Sequence, residues 1–212
     1  MFANRQEAGW QLGEALQRLR ATRPLVLGLP RGGVVVAAEV ARALGGELDV
    51  MLVKKLRAPG NPELALGAVA EDGRAHVNPD VRGLTEASED YLERERHERL
   101  KEMRAQAAAY RAVRPRVEPA GRTVVLVDDG LATGATMLAA VQCAALSGPE
   151  RLVAAVPVGP PDTVRQFAAM PEVNEVVCLQ TPAWFGGVGQ FYEDFSQVSD
   201  EEVVRILREF AP

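Results

Sequence analysis

The chain has 212 residues, 47% hydrophobic and 25% charged, which suits one globular domain with a sizeable core. Its net charge of −5 disfavours a nucleic-acid binder, whose surface is basic. No apolar run approaches the roughly 20 residues that a bilayer span needs. MFANRQEAGW has Arg and Glu where a signal peptide needs apolar residues, so a cytoplasmic protein without a membrane partner is expected. Cys143 and Cys178 show no metal-ligand spacing to His76 or His97, and both read as small buried hydrophobes in a reducing compartment.

Asn4 with Glu7 three residues later marks a helix start, and Ala8, Leu12, Ala15, Leu16 and Leu19 give its apolar stripe. Residues 25–29 form a short buried strand, ended by Pro30-Arg31-Gly32-Gly33, and a helix follows over 34–44 until Gly45-Gly46 stops it. Gly32 and Gly33 let the backbone approach a ligand, and Arg31 offers a fork of donors suited to phosphate oxygens. Taken alone, PRGG reads better as a plain βα turn with a surface Arg. The next strand, 49–53, delivers Lys54-Lys55, two of only three lysines in the chain.

Residues 56–62 are rich in turn formers and read as irregular. Residues 64–71 and 74–78, joined across Asp72-Gly73, predict a β-hairpin. From 85 to 113 the pattern is a long charged amphipathic helix, with Leu92, Leu100, Met103, Ala107 and Tyr110 roughly on one face, that covers the sheet or forms a homodimer contact. Pro115, Pro119 and Gly121 end it.

Val124 to Val127 are apolar and uninterrupted, as in a strand buried on both faces. Asp128 and Asp129 follow at its carboxyl end, then Gly130-Leu131-Ala132-Thr133-Gly134-Ala135-Thr136, which opens an alanine-rich helix. In open α/β sheets ligands bind outside the carboxyl ends of strands. A helix amino terminus reached through glycines offers free N–H groups to a phosphate, and Thr133 and Thr136 add hydroxyls. The two carboxylates can accept hydrogen bonds from vicinal hydroxyls or bind Mg2+. Further strands at 152–158 and 173–179 flank a helix at 161–169. The alternation predicts an α/β fold: a doubly wound, mostly parallel sheet with helices on both faces. Residues 181–195, TPAWFGGVGQFYEDF, concentrate Trp184, Phe185, Phe191, Tyr192 and Phe195 in a chain only 5% aromatic. Ser199 with Glu202 starts a last helix.

VVLVDDGLATGAT resembles the phosphoribosyl-pyrophosphate (PRPP) binding motif of type I phosphoribosyltransferases: four hydrophobics, two acids, then a small-residue loop ending in Thr-Gly-x-Thr. It matches neither the Walker loop nor the dinucleotide fingerprint. The resemblance implies one domain over 1–212, with a mobile loop and hairpin at 56–78, a helical insertion at 85–113 and a hood at 181–195. It implies Mg2+-dependent transfer of the 5-phosphoribosyl group from PRPP to a nitrogen acceptor, a purine-type base among the candidates.

In that resemblance Gly130 to Thr136 anchor the 5-phosphate, and Asp128 and Asp129 hold the ribose hydroxyls and serve as Mg2+ ligands. Arg31, Gly32, Gly33, Lys54 and Lys55 face the pyrophosphate, while Trp184, Phe185 and Tyr192 wall the acceptor, with Trp184 or Tyr192 stacking on it. Ala132 stands where hypoxanthine-guanine members carry an Asp that handles the base's proton; adenine members carry Ala there. KKLRAPGNPELALGAVAEDG resembles a branch whose acceptor is unassigned. Two other readings are a PRPP- or nucleotide-binding regulator on the same fold, without transferase activity, and a Mg2+-dependent hydrolase using the acid pair.

Overall fold

A computed structural model describes residues 1–85 and 87–211. Five parallel strands form the main sheet in the order β2 (Glu47–Val50), β1 (Leu25–Gly28), β6 (Thr123–Val127), β7 (Arg151–Val158) and β8 (Glu175–Gln180). Strand β6 lies at the centre and is buried throughout. Its alternating side chains serve both faces. Val125 and Val127 join the core shared with α1 (Arg5–Ala15), α2 (Gly32–Leu44) and α7 (Asp200–Glu209). Val124 and Leu126 join the core under α5 (Ala135–Ala145) and α6 (Pro161–Ala168). This two-sided burial is why the strand reads as an unbroken apolar run. Among the described residues, no helix is long and apolar enough to cross a membrane.

The expected strand over 49–53 is two elements. Strand β2 ends at Val50, the chain crosses Met51-Leu52, and Val53 begins β3 (Val53–Ala58) in a separate antiparallel sheet with β4 (Asn61–Ala70) and β5 (Ala75–Val77). Lys54 and Lys55 therefore stand inside an antiparallel strand and not at the end of a parallel one. The segment 56–62 is likewise regular. Ala58 pairs with Asn61 across Pro59-Gly60, and Gly60 takes φ +71°, the geometry a Pro-Gly turn supplies. The predicted 64–71/74–78 hairpin is present as β4 and β5.

A short helix α3 (Pro79–Gly83), capped by Asn78, precedes α4 (Glu89–Arg111). Helix α4 starts later than the pattern predicts because the Ser88 hydroxyl accepts from the Tyr91 N–H at 3.2 Å; Glu86, within the predicted helix, lies outside the described residues. Leu92, Met103 and Tyr110 of α4 pack with Leu56 and Leu66 of the small sheet. At its far end Arg111 reaches the buried Asp49 at 2.6 Å, and Asp49 also accepts from the Val117 N–H at 2.9 Å. Helix α5 is wedged between the sheets, with Ala139 and Cys143 against Ala68 and Ala70.

Candidate functional site

Strands β1 and β6 run in register, Gly28 beside Val127, so the loops leaving their carboxyl ends must meet. They meet at van der Waals contact. A Cβ at Gly32 would fall 2.0 Å from an Asp129 carboxylate oxygen, and one at Gly33 would fall 2.9 Å from Asp128 Oδ1 and 2.8 Å from the Val127 carbonyl. The glycines are thus required by the acid pair itself. The peptide between Pro30 and Arg31 is cis, and Arg31 is exposed at the loop's tip.

Asp128 Oδ1 accepts from the Asp129 N–H at 2.9 Å. Asp129 Oδ2 accepts from Arg5 Nε at 2.8 Å, and the Asp129 carbonyl accepts from the Tyr192 hydroxyl at 2.7 Å. Burial, then the neighbouring Asp129 carboxylate, holds the Asp128 carboxyl well above the usual range, against the pull of Arg5. Burial raises Asp129 too, opposed by its bond to Arg5. Recessed anions of this kind favour a cationic guest.

Beyond the acids, Gly130 is buried against Val188, and Leu131 is buried with its N–H on the Val158 carbonyl at 2.8 Å. Ala132 and Thr133 are exposed. Gly134 takes φ +73° and abuts the Phe167 ring, so a side chain there would be strained and crowded. It begins α5 without any side-chain cap. The Thr133 hydroxyl accepts from the Ala135 N–H at a long 3.4 Å, and the rest of the first turn is open to an anion. A cavity of about 270 Å³ joins Pro30, Lys54, Lys55 and Thr136 with Gln106 of α4. Residues from the first loop, the small sheet and the α5 terminus thus share one wall.

The aromatic segment divides. Trp184 is 91% exposed, and Phe185 stacks on Phe191 with centroids 5.3 Å apart. Tyr192, expected as a stacking surface, is 5% exposed and packs between Phe2 and Phe195. Its hydroxyl is committed to the Asp129 carbonyl, so of the two stacking candidates only Trp184 presents a free ring. His97 is exposed, and burial pushes the thiols of Cys143 and Cys178 up to about 12 and about 11.

Sequence reasoning missed Arg5 and Gln106. Arg5 looks like any charged residue in a first helical turn, and Gln106 sits on a helix read as a cover; only tertiary contact brings either to the site.

The family model for the phosphoribosyl transferase domain matches residues 6–196. A Mycobacterium tuberculosis protein, provisionally named a phosphoribosyl transferase, is 49% identical over 218 residues, spanning all of this chain. The chain covers 48% of that relative's length. The crystal structure of TT1426 from Thermus thermophilus is 52% identical, with a TM-score of 0.93 over 100% of this chain and 99% of that one.

Proposed function

Because this chain belongs to the phosphoribosyl transferase domain family, we propose that it transfers the 5-phosphoribosyl group of PRPP to a nitrogen acceptor and releases pyrophosphate. The observation that carries this reading is the contact of Gly32-Gly33 with Asp128-Asp129, beside the uncapped start of α5. In this reading the neighbouring loops supply a phosphate site, a hydroxyl-accepting acid pair and a second anion-binding loop, the groups that a phosphorylated sugar carrying a leaving group calls for.

In this reaction the bond from the ribose C1 to the pyrophosphate oxygen breaks, and its electron pair leaves with the pyrophosphate. A bond from C1 to nitrogen forms, and the acceptor gives up a proton. The first turn of α5, Thr133 and Thr136 hold the 5-phosphate. Asp128 and Asp129 accept hydrogen bonds from the ribose hydroxyls and stabilise positive charge developing on the ring. Arg31, the amides of Gly32 and Gly33, and Lys54 and Lys55 receive the pyrophosphate. Trp184 and Phe185 wall the acceptor side, while Tyr192 supports Asp129 from below. Ala132 is exposed and offers no base, so an acceptor that needs one there is disfavoured.

Among the described residues no cluster of three or more Asp, Glu, His or Cys could hold a metal unaided. Mg2+ usually takes one or two carboxylates plus substrate phosphates, and Asp128 and Asp129 fit that role. When bound, the ion neutralises the leaving pyrophosphate.

Calorimetric titration of PRPP, with and without Mg2+, tests the assignment on the wild type and on Asp128→Asn/Asp129→Asn. Mg2+-dependent binding that is strongly weakened in the double variant is expected. Absence of wild-type binding under both conditions would sink the reading.

A further inference from the structure

Arg5 lies 124 positions from the acid it touches, yet it is buried at the meeting point of three parts of the site. Its Nε donates to Asp129 Oδ2 at 2.8 Å and its Nη1 donates to the Ser196 carbonyl at 2.9 Å. The guanidinium carbon sits 3.8 Å from the centroid of the Phe195 ring. Gly32 closes the other side, since a Cβ there would come within 2.8 Å of Arg5 Nε. The surrounding backbone is fixed: the Phe2 N–H donates to the Phe191 carbonyl at 2.8 Å, and the Glu193 and Asp194 N–H groups donate to the carbonyls of Phe2 and Ala3 at 2.9 Å.

From this geometry we infer that Arg5 is a positioning residue that divides the labour of the acid pair and couples it to the hood. The inference rests on the PRPP reading proposed above and extends it to a residue outside the motif. Arg5 occupies one oxygen of Asp129, leaving Oδ1 as the acceptor it can offer to a ribose hydroxyl. Among the described residues no cationic side chain bonds to Asp128, which keeps its second oxygen free. The two acids are therefore unequal, with Asp129 aimed by Arg5 and Asp128 left without a bonded cation. A planar fork is what this task requires: Lys cannot donate in one plane to a carboxylate and a carbonyl while lying on a phenyl face.

The test compares two probes, PRPP and inorganic pyrophosphate, each titrated calorimetrically with Mg2+ into the wild type, Arg5→Gln and Arg5→Lys. Losing a charge-assisted hydrogen bond that orders an acceptor corresponds to about tenfold or more in affinity. Arg5→Gln should lose that much for PRPP while its pyrophosphate affinity stays within about twofold of wild type, because pyrophosphate carries no ribose. Arg5→Lys should fall between wild type and Arg5→Gln for PRPP, and it carries the same test should Arg5→Gln not fold. Equal losses for both probes would reduce Arg5 to a fold-holding residue and overturn the inference. Unchanged PRPP binding would overturn it as well. Wild type that binds pyrophosphate but not PRPP would overturn the ribosyl reading itself, and this inference with it.

Discussion

Replacing Gly33 by Ala asks whether the close approach of the two loops is a structural requirement. The added methyl would stand 2.8 Å from the Val127 carbonyl oxygen and 2.9 Å from both Asp128 Cα and Asp128 Oδ1. Carbon contacts are comfortable at about 3.5–4.0 Å, so the loop must withdraw by roughly 0.6 Å or more. Two of the three obstacles are main-chain atoms of the central strand and its end, which cannot rotate aside. Overpacking of this kind costs about 1–3 kcal/mol, and in a domain of this size each kcal/mol lowers Tm by about 2–4 °C. The expected loss is therefore about 2–12 °C. PRPP affinity should fall by about tenfold or more, since a displacement on the order of 1 Å at a reacting site is worth about 100-fold in rate. Gly83→Ala is the control: that position meets nothing within 4 Å and has no positive φ, so it should hold or raise stability by up to about 1 kcal/mol. Thermal unfolding read by circular dichroism, with PRPP calorimetry on the same samples, decides the matter. A Gly33→Ala protein that melts within about 1 °C of wild type and binds PRPP equally well would refute the reasoning.

Tyr192→Phe removes the donor to the Asp129 carbonyl and leaves that acceptor without this bond, so a loss of about 1–3 kcal/mol is expected in urea at unchanged m value; a loss below about 0.3 kcal/mol would contradict it. Both thiols are held protonated by burial, at about 12 for Cys143 and about 11 for Cys178. A disulfide reagent at neutral pH should thus label neither rapidly in the native protein and both after unfolding, and fast native labelling would be incompatible with the packing. The hydroxyl of Tyr110 donates to Asp200, and that bond holds the Asp200 carboxyl below its usual range. A depressed folded pKa contributes stability above the unfolded value near 3.9 that is lost as pH falls through the folded value. The stability gap between wild type and Tyr110→Phe should therefore narrow as pH drops below about 4; a gap that widens there would reverse the assignment.

The parts legible from sequence were those whose signal is local. The run Val124 to Val127, the acid pair and the glycine-threonine loop each follow from neighbouring residues, and strand, turn and helix appear there as expected. The same holds for the Asn4 and Ser199 helix caps, both of which accept from the N–H three residues on. What stayed hidden depends on distant partners. No residue between Asp49 and Val53 announces that the chain changes sheets, because Met51 and Leu52 are as apolar as a continuing strand. The turn formers of 56–62 describe Pro59-Gly60 correctly but conceal the strands on either side. Those strands are held by partners such as the Tyr91 hydroxyl, which donates to the Arg57 carbonyl at 3.0 Å. Tyr192 was legible as part of an aromatic wall, yet which ring faces outward is decided by Phe2, almost the whole chain away. Arg5 carried no signal at all.

The stitching of residues 2–5 to residues 191–196 has a consequence for biosynthesis. Translation delivers the chain from its amino end, and the strands of the central sheet emerge before the segment that Phe2, Ala3 and Arg5 must grasp. Until that segment leaves the ribosome, Asp129 lacks both Arg5 in its final posture and the Tyr192 hydroxyl. The contacts that Asp129 makes with Arg5 and Tyr192 therefore wait for residues 191–196 to leave the ribosome.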